Sequence, residues 1–225
     1  MSKVAVITGS SGGIGRALVK TYLNDGYFVL GLDISPSKSP VSEFYAEIDV
    51  NLLMFSKDTA YRDSVLGKIK ERLPHKVNKF VLINNAAEQI LKSVAEIEWQ
   101  DWENSLAVNT VAPFFLVQGL TEELVASCGH VINISSIHAK LTKTKFTCYS
   151  ASKSALEAVT RSLALELSPL GVSVNAIAPA AISTEMLKAS FNDKSEKLLE
   201  LESYHPSGSI GTPAQVALLV KTITD

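Results

Sequence analysis

The chain has 225 residues, 46% of them hydrophobic, and its 21 basic and 23 acidic residues leave a formal net charge of −2. This length is enough for one domain with a sizeable core, and the balanced charge gives no reason to expect nucleic acid or a membrane surface as a partner. No apolar run approaches the roughly 20 residues of a membrane span, no Cys/His cluster has zinc spacing, and two cysteines do not make a disulfide framework. An apolar strand close to Met1 leaves no room for a signal peptide, so we expect a cytoplasmic protein that holds no metal.

The chain opens on a short apolar strand and a glycine-rich turn. Val4–Ile7 runs into Thr-Gly-Ser-Ser-Gly-Gly-Ile-Gly over 8–15, and a helical pattern follows over 14–24. Glycines let the backbone turn sharply and approach a ligand, and a helix N-terminus presents N–H groups and a positive dipole end to an anion. The run predicts a site for the phosphates of a dinucleotide. The alternative is a glycine-rich turn that binds nothing.

The second predicted strand, Phe28–Leu32, ends at an acidic residue, Asp33. An acid about 20 residues beyond the glycines accepts hydrogen bonds from the adenosine ribose hydroxyls, and its charge repels a 2′-phosphate. No Lys or Arg lies inside the glycine loop to offset that charge. We therefore predict NAD(H) rather than NADP(H) as the cofactor, with a solvated acid at a strand end as the alternative for Asp33.

Strands and helices alternate along the rest of the chain. Unbroken apolar segments of this kind predict strands buried on both faces of a parallel sheet. The further predicted strands are Phe80–Ile83, Val131–Ile134 and Val172–Ile177, with a weaker one at Phe44–Ile48, and the further predicted helices cover 60–72, 100–126 and 150–168. The pattern predicts an α/β fold, a single-domain Rossmann-like doubly wound parallel sheet over 1–225 with helices on both faces.

Two connections are unusual. Residues 33–43 contain two prolines and four serines, which predicts an irregular loop and a less covered patch of the sheet. Residues 181–211 mix polar and apolar residues around a helical stretch, Lys194–Ser203, and we predict that they form a lid over a site. An ordinary surface excursion is the alternative for this second segment.

A tyrosine and a lysine four residues apart, Tyr149 and Lys153, are the best candidates for proton transfer. Residues at i and i+4 share a helix face, and an ammonium about 4 Å from a phenol lowers its pKa by roughly 3 units, enough for it to act as a base near neutral pH. The pair follows the strand Val131–Ile134, which ends in Ser135-Ser136, and ligands bind at the C-terminal ends of such strands. Chance spacing, and a simple cap or turn serine, are the alternatives.

Together these motifs resemble the short-chain dehydrogenase/reductase family over nearly the whole chain. The glycine run resembles its Thr-Gly-x-x-x-Gly-x-Gly motif, residues 84–87 (Asn-Asn-Ala-Ala) resemble its Asn-Asn-Ala-Gly motif, and 175–179 resemble the stretch after its sixth strand. Four residues fall in order on its catalytic tetrad, namely Asn109, Ser136, Tyr149 and Lys153.

The resemblance implies a role for each member of the tetrad. Tyr149 is the general acid/base, and Lys153 lowers its pKa and binds the nicotinamide ribose. Ser136 holds the substrate oxygen, and Asn109 supports a proton relay through water. Asp49 contacts the adenine, Asn85 and Ala86 lie along the adenosine ribose, and the carboxamide and phosphates reach Ile182 and Thr184. The implied cofactor-binding residues are Gly9, Ser11, Gly13, Ile14, Gly15, Asp33, Asp49, Asn85, Ala86, Tyr149, Lys153, Pro179, Ala180, Ile182 and Thr184.

The sequence departs from the family pattern at three places. Ala87 and Ala180 replace glycines that pass close to cofactor, and we expect adjusted affinity rather than lost function. The family usually adds a final strand and a glycine-rich tail after the point that corresponds to Asp225. We expect either a sheet without that edge strand or a longer natural chain.

We expect an NAD(H)-dependent oxidoreductase that interconverts a secondary alcohol and a carbonyl compound. The alternatives are a non-catalytic NAD(H)-binding regulatory protein, and an epimerase or dehydratase on the same scaffold. The resemblance implies a homotetramer or a dimer packed through 100–126 and 150–168. A small-molecule substrate would be framed by 88–91, 138–147 and 181–211. Three lysines in the middle segment favour an anionic substrate, unless that segment is simply a solvated loop.

Overall fold

A fully parallel sheet of six strands forms the centre of the computed structural model, which describes residues 2–35, 42–185, 187 and 195–225. The strand order is β3-β2-β1-β4-β5-β6, so the direction of winding reverses between β1 and β4. The strands are β1 (Ser2–Thr8), β2 (Tyr27–Asp33), β3 (Tyr45–Asp49), β4 (Val77–Asn84), β5 (His130–Ile134) and β6 (Ser173–Ile177). The predicted doubly wound α/β fold is confirmed.

Helices cover both faces of this sheet. They are α1 (Gly13–Asn24), α2 (Leu52–Lys57), α3 (Thr59–Arg72), α4 (Trp99–Leu106), α5 (Ala112–Gly119), α6 (Thr121–Ala126), α7 (Thr147–Leu167), α8 (Ser195–Ser203) and α9 (Pro213–Thr224). Short 3₁₀ turns lie at Ile137–Ala139 and Ser168–Leu170, and a π-helical turn covers Ala107–Val111. The sequence analysis did not predict α2 or α9.

The core has two layers because alternate residues of a strand point to opposite faces. On one side, Val4 and Val6 of β1 pack in a cluster that includes side chains of α2, α3 and α5. On the other side, Ala5 and Ile7 pack in a cluster with side chains of α1 and α9. All four β1 residues are 0% exposed. Burying a valine or an isoleucine contributes about 1.5–3 kcal/mol, which explains why an unbroken apolar segment predicts this sheet.

The region predicted as one helix over 100–126 is broken into three. Pro113 has no backbone N–H to donate, and its ring clashes with the preceding turn of a regular α-helix. The structure places Pro113 in the first turn of α5, where its missing N–H costs little. The π-helical turn Ala107–Val111 comes just before it, and the N–H of Ala112 donates to the carbonyl of Ala107.

Parts of two predicted segments lie outside the described residues. The predicted irregular connection over 33–43 falls largely on 36–41, and with it the expected uncovered patch of the sheet. Of the predicted lid over 181–211, residues 186 and 188–194 are also outside, among them Lys194, the first residue of the predicted helical stretch, and α8 begins at Ser195. Within the described ranges, no helix is long and apolar enough to span a bilayer, and no group of His, Cys, Asp and Glu side chains is arranged to hold a metal ion.

The N-terminus of α1 packs against the turn after β1 with no room for a side chain. A Cβ added to Gly15 would lie 1.9 Å from the carbonyl oxygen of Gly9. Gly9 itself has a φ of +64°, in the left-handed region that favours glycine. These two glycines therefore fix how α1 starts.

We predict that Gly15→Ala lowers the free energy of unfolding by about 3 kcal/mol, because the added methyl group forces the turn and the helix apart. The matched control is Gly67→Ala, in α3, where a Cβ would meet nothing within 4 Å. It should raise the free energy of unfolding by up to about 1 kcal/mol, since alanine is the better helix former. Urea unfolding measures both, and equal effects of the two substitutions would contradict the close packing.

Candidate active site

The glycine turn at the C-terminal end of β1 forms a cradle for an anion. The N-cap residue of α1 is Gly12, which has no side chain to cap the helix, so the first N–H groups face the space above the turn. A Cβ on Gly13 would come within 3.0 Å of Thr184, a side chain that therefore lies against the cradle. Ile14 is the second residue of α1. A cradle that a Cβ would fill fits the phosphates of a dinucleotide.

Asp33 is held at the same end of the sheet by the turn. One carboxylate oxygen accepts the backbone N–H of Ser11 at 2.9 Å, and the other accepts that of Ser35 at 3.1 Å. Asp49 lies beside it, because β2 and β3 pair with Asp33 opposite Asp49, and it is exposed. The two acidic residues are thus neighbours at the C-terminal ends of β2 and β3.

The loop after β4 is tied to β1 by a residue that the sequence analysis did not single out, Thr8. Its hydroxyl oxygen accepts the backbone N–H groups of Asn85, at 2.9 Å, and Ala86, at 3.0 Å. The Asn85 side-chain amide donates to the carbonyls of Thr8 and Gly9, both at 3.0 Å. Asn85 and Ala86 therefore stand against the glycine turn.

Ser136, Tyr149 and Lys153 come together where β5 ends. Ser136 follows β5, and Tyr149 and Lys153 lie on the first turns of α7. Tyr149 is 8% exposed and Lys153 1% exposed. The Lys153 ammonium donates to the carbonyl of Ile134 at 2.7 Å, and its Nζ lies 5.8 Å from the centre of the Tyr149 ring. The helix spacing of four thus places both side chains toward the same strand end.

Burial dominates the ionisation of this pair. It raises the pKa of Tyr149 above its ordinary value, and a hydrogen bond with Ser136 lowers that pKa in part. Burial also lowers the pKa of Lys153 to about 7. Lys153 is not among the causes of the Tyr149 shift, so the expected lowering of the Tyr149 pKa by Lys153 is not seen in this structure, where burial is the largest cause. Removal from water penalises the phenolate and the ammonium together, an effect that spacing alone does not reveal.

Asn109 sits in the π-helical turn and is completely buried. Its side-chain oxygen accepts the N–H of Glu88 at 2.8 Å, and its amide nitrogen donates to the Glu88 carbonyl and to the Ser152 hydroxyl, both at 2.9 Å. Asn109 therefore links the loop after β4 to α7, next to Lys153. Ser152 and Glu88 were missed as its partners. π-Helical turns are often found at functional sites, and Pro113 was the local signal for an irregular helix here.

A histidine and a phenylalanine form one wall beside Tyr149. The rings of His138 and Phe146 are 4.2 Å apart, and the His138 ring lies 6.2 Å from that of Tyr149. Burial, and to a smaller extent the charge of Lys143, lower the pKa of His138. His138 therefore presents a mostly neutral ring near neutral pH.

The segment after β6 passes over the same end of the sheet. The Pro179 carbonyl accepts the N–H of Ile137 at 2.9 Å, and Ala180 beyond it is exposed. Ile182 forms a parallel bridge with Gly211, so both ends of the predicted lid meet. Arg16 of α1 contacts the same segment, because its guanidinium lies 2.8 Å from a carboxylate oxygen of Glu185.

Comparisons with known proteins agree with this geometry. A sequence model described as "short chain dehydrogenase" matches residues 3–195. The chain belongs to the short-chain dehydrogenase/reductase family. It is therefore an oxidoreductase of the dehydrogenase type, from a family that binds a nicotinamide cofactor on a Rossmann-like fold.

Three relatives show how far the similarity extends. The chain is 31% identical over 226 residues to an uncharacterized oxidoreductase of Thermotoga maritima, covering 99% of this chain and 88% of that protein. It is 30% identical over 220 residues to an NAD-dependent glycerol dehydrogenase of Listeria innocua, covering 96% and 84%. Among solved structures, 4-hydroxyisoleucine dehydrogenase complexed with NADH is 26% identical with a TM-score of 0.84, covering 100% of this chain and 92% of that one.

The buried lysine predicts an unusual pH dependence of stability. The folded-state pKa of Lys153 is about 7, and an unfolded lysine titrates near 10.4. Between these values the unfolded chain binds one proton more, so stability rises with pH, and below the folded pKa both states are protonated and the penalty stays constant. We predict that Lys153→Met removes this slope, which is at most about 1.4 kcal/mol per pH unit.

Urea unfolding of the wild-type protein and the variant at pH 7, 8 and 9 measures the effect. The control is Lys68→Met, which removes an exposed lysine of α3. It should keep the wild-type dependence of stability on pH. Parallel pH profiles for wild type and Lys153→Met would show that Lys153 titrates normally in the folded protein.

Proposed function

We propose that this protein is an NAD(H)-dependent oxidoreductase that interconverts a secondary alcohol and a carbonyl compound. The observation that carries the proposal is the buried grouping of Tyr149, Ser136 and Lys153 beside the glycine cradle, at the C-terminal edge of a doubly wound sheet. Ligands of such sheets bind at that edge, where the strand order reverses.

The side chains divide the work by their hydrogen-bonding capacity. When bound, the nicotinamide takes up or delivers the hydride. The Ser136 hydroxyl holds the substrate oxygen, and Tyr149 exchanges a proton with that same oxygen. Since burial raises the pKa of Tyr149, the phenol is protonated near neutral pH and is ready to donate in the direction of carbonyl reduction. Alcohol oxidation requires the phenol to lose its proton.

Lys153 and Asn109 act from behind the phenol. Lys153 is anchored on the Ile134 carbonyl. From there it would hold the tyrosine side of the pocket and would bind the nicotinamide ribose of the cofactor. Asn109 fixes the loop that carries Glu88 against α7 and so supports a proton path through water. Both roles follow from placement beside Tyr149 and from the family's tetrad.

Asp33 supports the choice of NAD(H). Its carboxylate is fixed by the N–H groups of Ser11 and Ser35, so a 2′-phosphate on the adenosine ribose would approach a held negative charge. The glycerol dehydrogenase of Listeria innocua is described as NAD-dependent, and 4-hydroxyisoleucine dehydrogenase was solved with NADH. The other proposed cofactor contacts beyond the glycine turn are made by Asp49, Asn85, Ala86, Pro179, Ala180, Ile182 and Thr184.

The surroundings of the site enter the proposal as well. Residues 181–211 serve as a lid, supported by the bridge between Ile182 and Gly211. The protein works in the cytoplasm as a dimer or tetramer packed through α4, α5, α6 and α7, which cover the segments 100–126 and 150–168. Exposed apolar side chains on these helices, Trp99 at 79% and Leu165 at 81%, support that packing.

Cofactor preference is the first measurement. We predict that the wild-type protein binds NADH at least about tenfold more tightly than NADPH, the effect of one like charge near the 2′-phosphate. Parallel titrations that follow nicotinamide fluorescence give both dissociation constants. Tighter binding of NADPH would contradict the role of Asp33, and binding of neither nucleotide would contradict the proposed function.

Removal of the Tyr149 hydroxyl should separate binding from turnover. In Tyr149→Phe we expect NADH affinity within about twofold of wild type and a kcat at least about 100-fold lower, the usual contribution of a general acid. The assay screens secondary alcohols and ketones, including glycerol and dihydroxyacetone, by NADH absorbance. The control is Tyr27→Phe. Tyr27 is the first residue of β2, at the end of the strand opposite Asp33, and its buried hydroxyl has no hydrogen-bond partner among the described residues.

The same assay distinguishes the alternatives. Unchanged turnover in Tyr149→Phe would overturn the acid/base role. A wild-type protein that binds NADH but turns over no alcohol or ketone fits the regulatory hypothesis, and conversion of a substrate with no net change in NADH fits an epimerase or dehydratase.

A further inference from the structure

A second carboxylate reaches the site where Asp33 lies. Glu47 is on β3, and its backbone pairs with Gly31 of β2. One of its carboxylate oxygens accepts the Ser11 hydroxyl at 3.2 Å and the Ser10 hydroxyl at the longer distance of 3.4 Å. Asp33 accepts the backbone N–H of Ser11. Both acidic side chains therefore hold the same residue of the glycine turn.

Gly31 makes this approach possible. A Cβ at position 31 would lie 2.6 Å from the Ser10 hydroxyl oxygen and 2.7 Å from the Tyr45 hydroxyl oxygen, so any side chain there would displace the cluster. Burial raises the pKa of Tyr45, and the negative charges of Glu47 and Asp33 add to the effect. The carboxylates of Asp33 and Glu47 thus both act on one small polar cluster beside the glycine turn, formed by Ser10, Ser11 and Tyr45.

The Ser11 hydroxyl has one hydrogen, and the protein uses it. Its oxygen lies 3.2 Å from Glu47 and 3.0 Å from the carbonyl of Ser35, both of which accept. Toward a ligand above the turn, Ser11 therefore presents lone pairs and not a donor. A ribose hydroxyl can donate to such a surface, whereas a phosphate, which only accepts near neutral pH, meets lone pairs and negative charge.

We propose that Glu47 is a second determinant of cofactor choice, which disfavours a 2′-phosphate both by its charge and by turning the Ser11 hydroxyl away from it. The proposal rests on the proposed function, because it concerns the same adenosine end of the cofactor site. The proposed role of Glu47 differs from that of Asp33 in the strand that carries the residue and in the way the residue acts. Asp33 ends β2, whereas Glu47 lies inside β3 and acts partly through Ser11.

The test compares the ratio of the dissociation constants for NADPH and NADH in wild type, Glu47→Gln, Asp33→Asn and the double variant. The Glu47→Gln substitution keeps an oxygen acceptor for Ser11 and removes the charge. We expect the ratio to fall by about tenfold in Glu47→Gln and further in the double variant, the size of effect that one nearby charge produces. Added salt should shrink the wild-type ratio more than that of the double variant.

The matched control is Glu71→Gln in α3. It removes the same charge from the opposite face of the sheet, since Val65 and Ile69 of α3 pack in the cluster with Val4, whereas Tyr45 packs in the cluster with Ile7. Its ratio should equal that of wild type. Thermal unfolding of each variant checks that the fold is retained.

Each outcome decides the proposal. A fall of the ratio in Glu47→Gln and not in Glu71→Gln supports it. If Glu47→Gln weakens both nucleotides equally, or changes neither, Glu47 only supports the turn, and the proposal is overturned while the proposed function stands. If wild type binds neither nucleotide, both proposals are overturned together.

Discussion

The contact between the first turn of α1 and the carbonyl of Gly9 is the constraint on which the site depends. With no Cβ at Gly15, the helix starts directly above the turn, and the turn in turn needs the left-handed backbone of Gly9. This close approach places Ser11 where Asp33 accepts its N–H, and it places Gly9 where Asn85 donates to it. The ends of β1, β2 and β4 are therefore tied together at this turn by hydrogen bonds from its backbone to the side chains of Asp33 and Asn85.

Burial at the tyrosine and lysine works against the stability of the fold. A lysine that is 1% exposed keeps a pKa of about 7 because the surrounding core leaves it little water. Its hydrogen bond to the Ile134 carbonyl offsets part of that desolvation. Buried ionisable groups of this kind cluster at functional sites, where evolution accepts a local cost in stability in return for chemistry.

The sequence predicts what local pattern controls. Strands β1, β2, β4 and β5 are apolar runs buried on both faces, so their sequences predict them directly, whereas β3 and β6 are only partly buried and give a weaker pattern. The places of Ser136, Tyr149 and Lys153 follow from a strand end and a helix spacing. The helix α9 was missed although its signals are local, with Pro213 in the first turn and a capping box between Thr212 and Gln215.

Other features lie beyond local pattern because they depend on which segments meet. The partners of Asn109 in Glu88 and Ser152, the reach of Glu47 to Ser11, and the direction of the Tyr149 pKa all follow from tertiary contacts. No spacing along the chain reports that Gly31 leaves space for Ser10 and Tyr45. Desolvation in particular is a property of the folded core, so the spacing of Tyr149 and Lys153 along the chain does not report it.

The amide of Asn109 also limits what evolution can place at that position. Its oxygen must accept from the Glu88 N–H while its nitrogen donates to the Glu88 carbonyl and to Ser152, so one end of the group has to be an acceptor and the other a donor. Aspartate has the same shape but only acceptors, and leucine has neither. Substitution at position 109 is therefore limited by the direction of its hydrogen bonds more than by the size of the side chain.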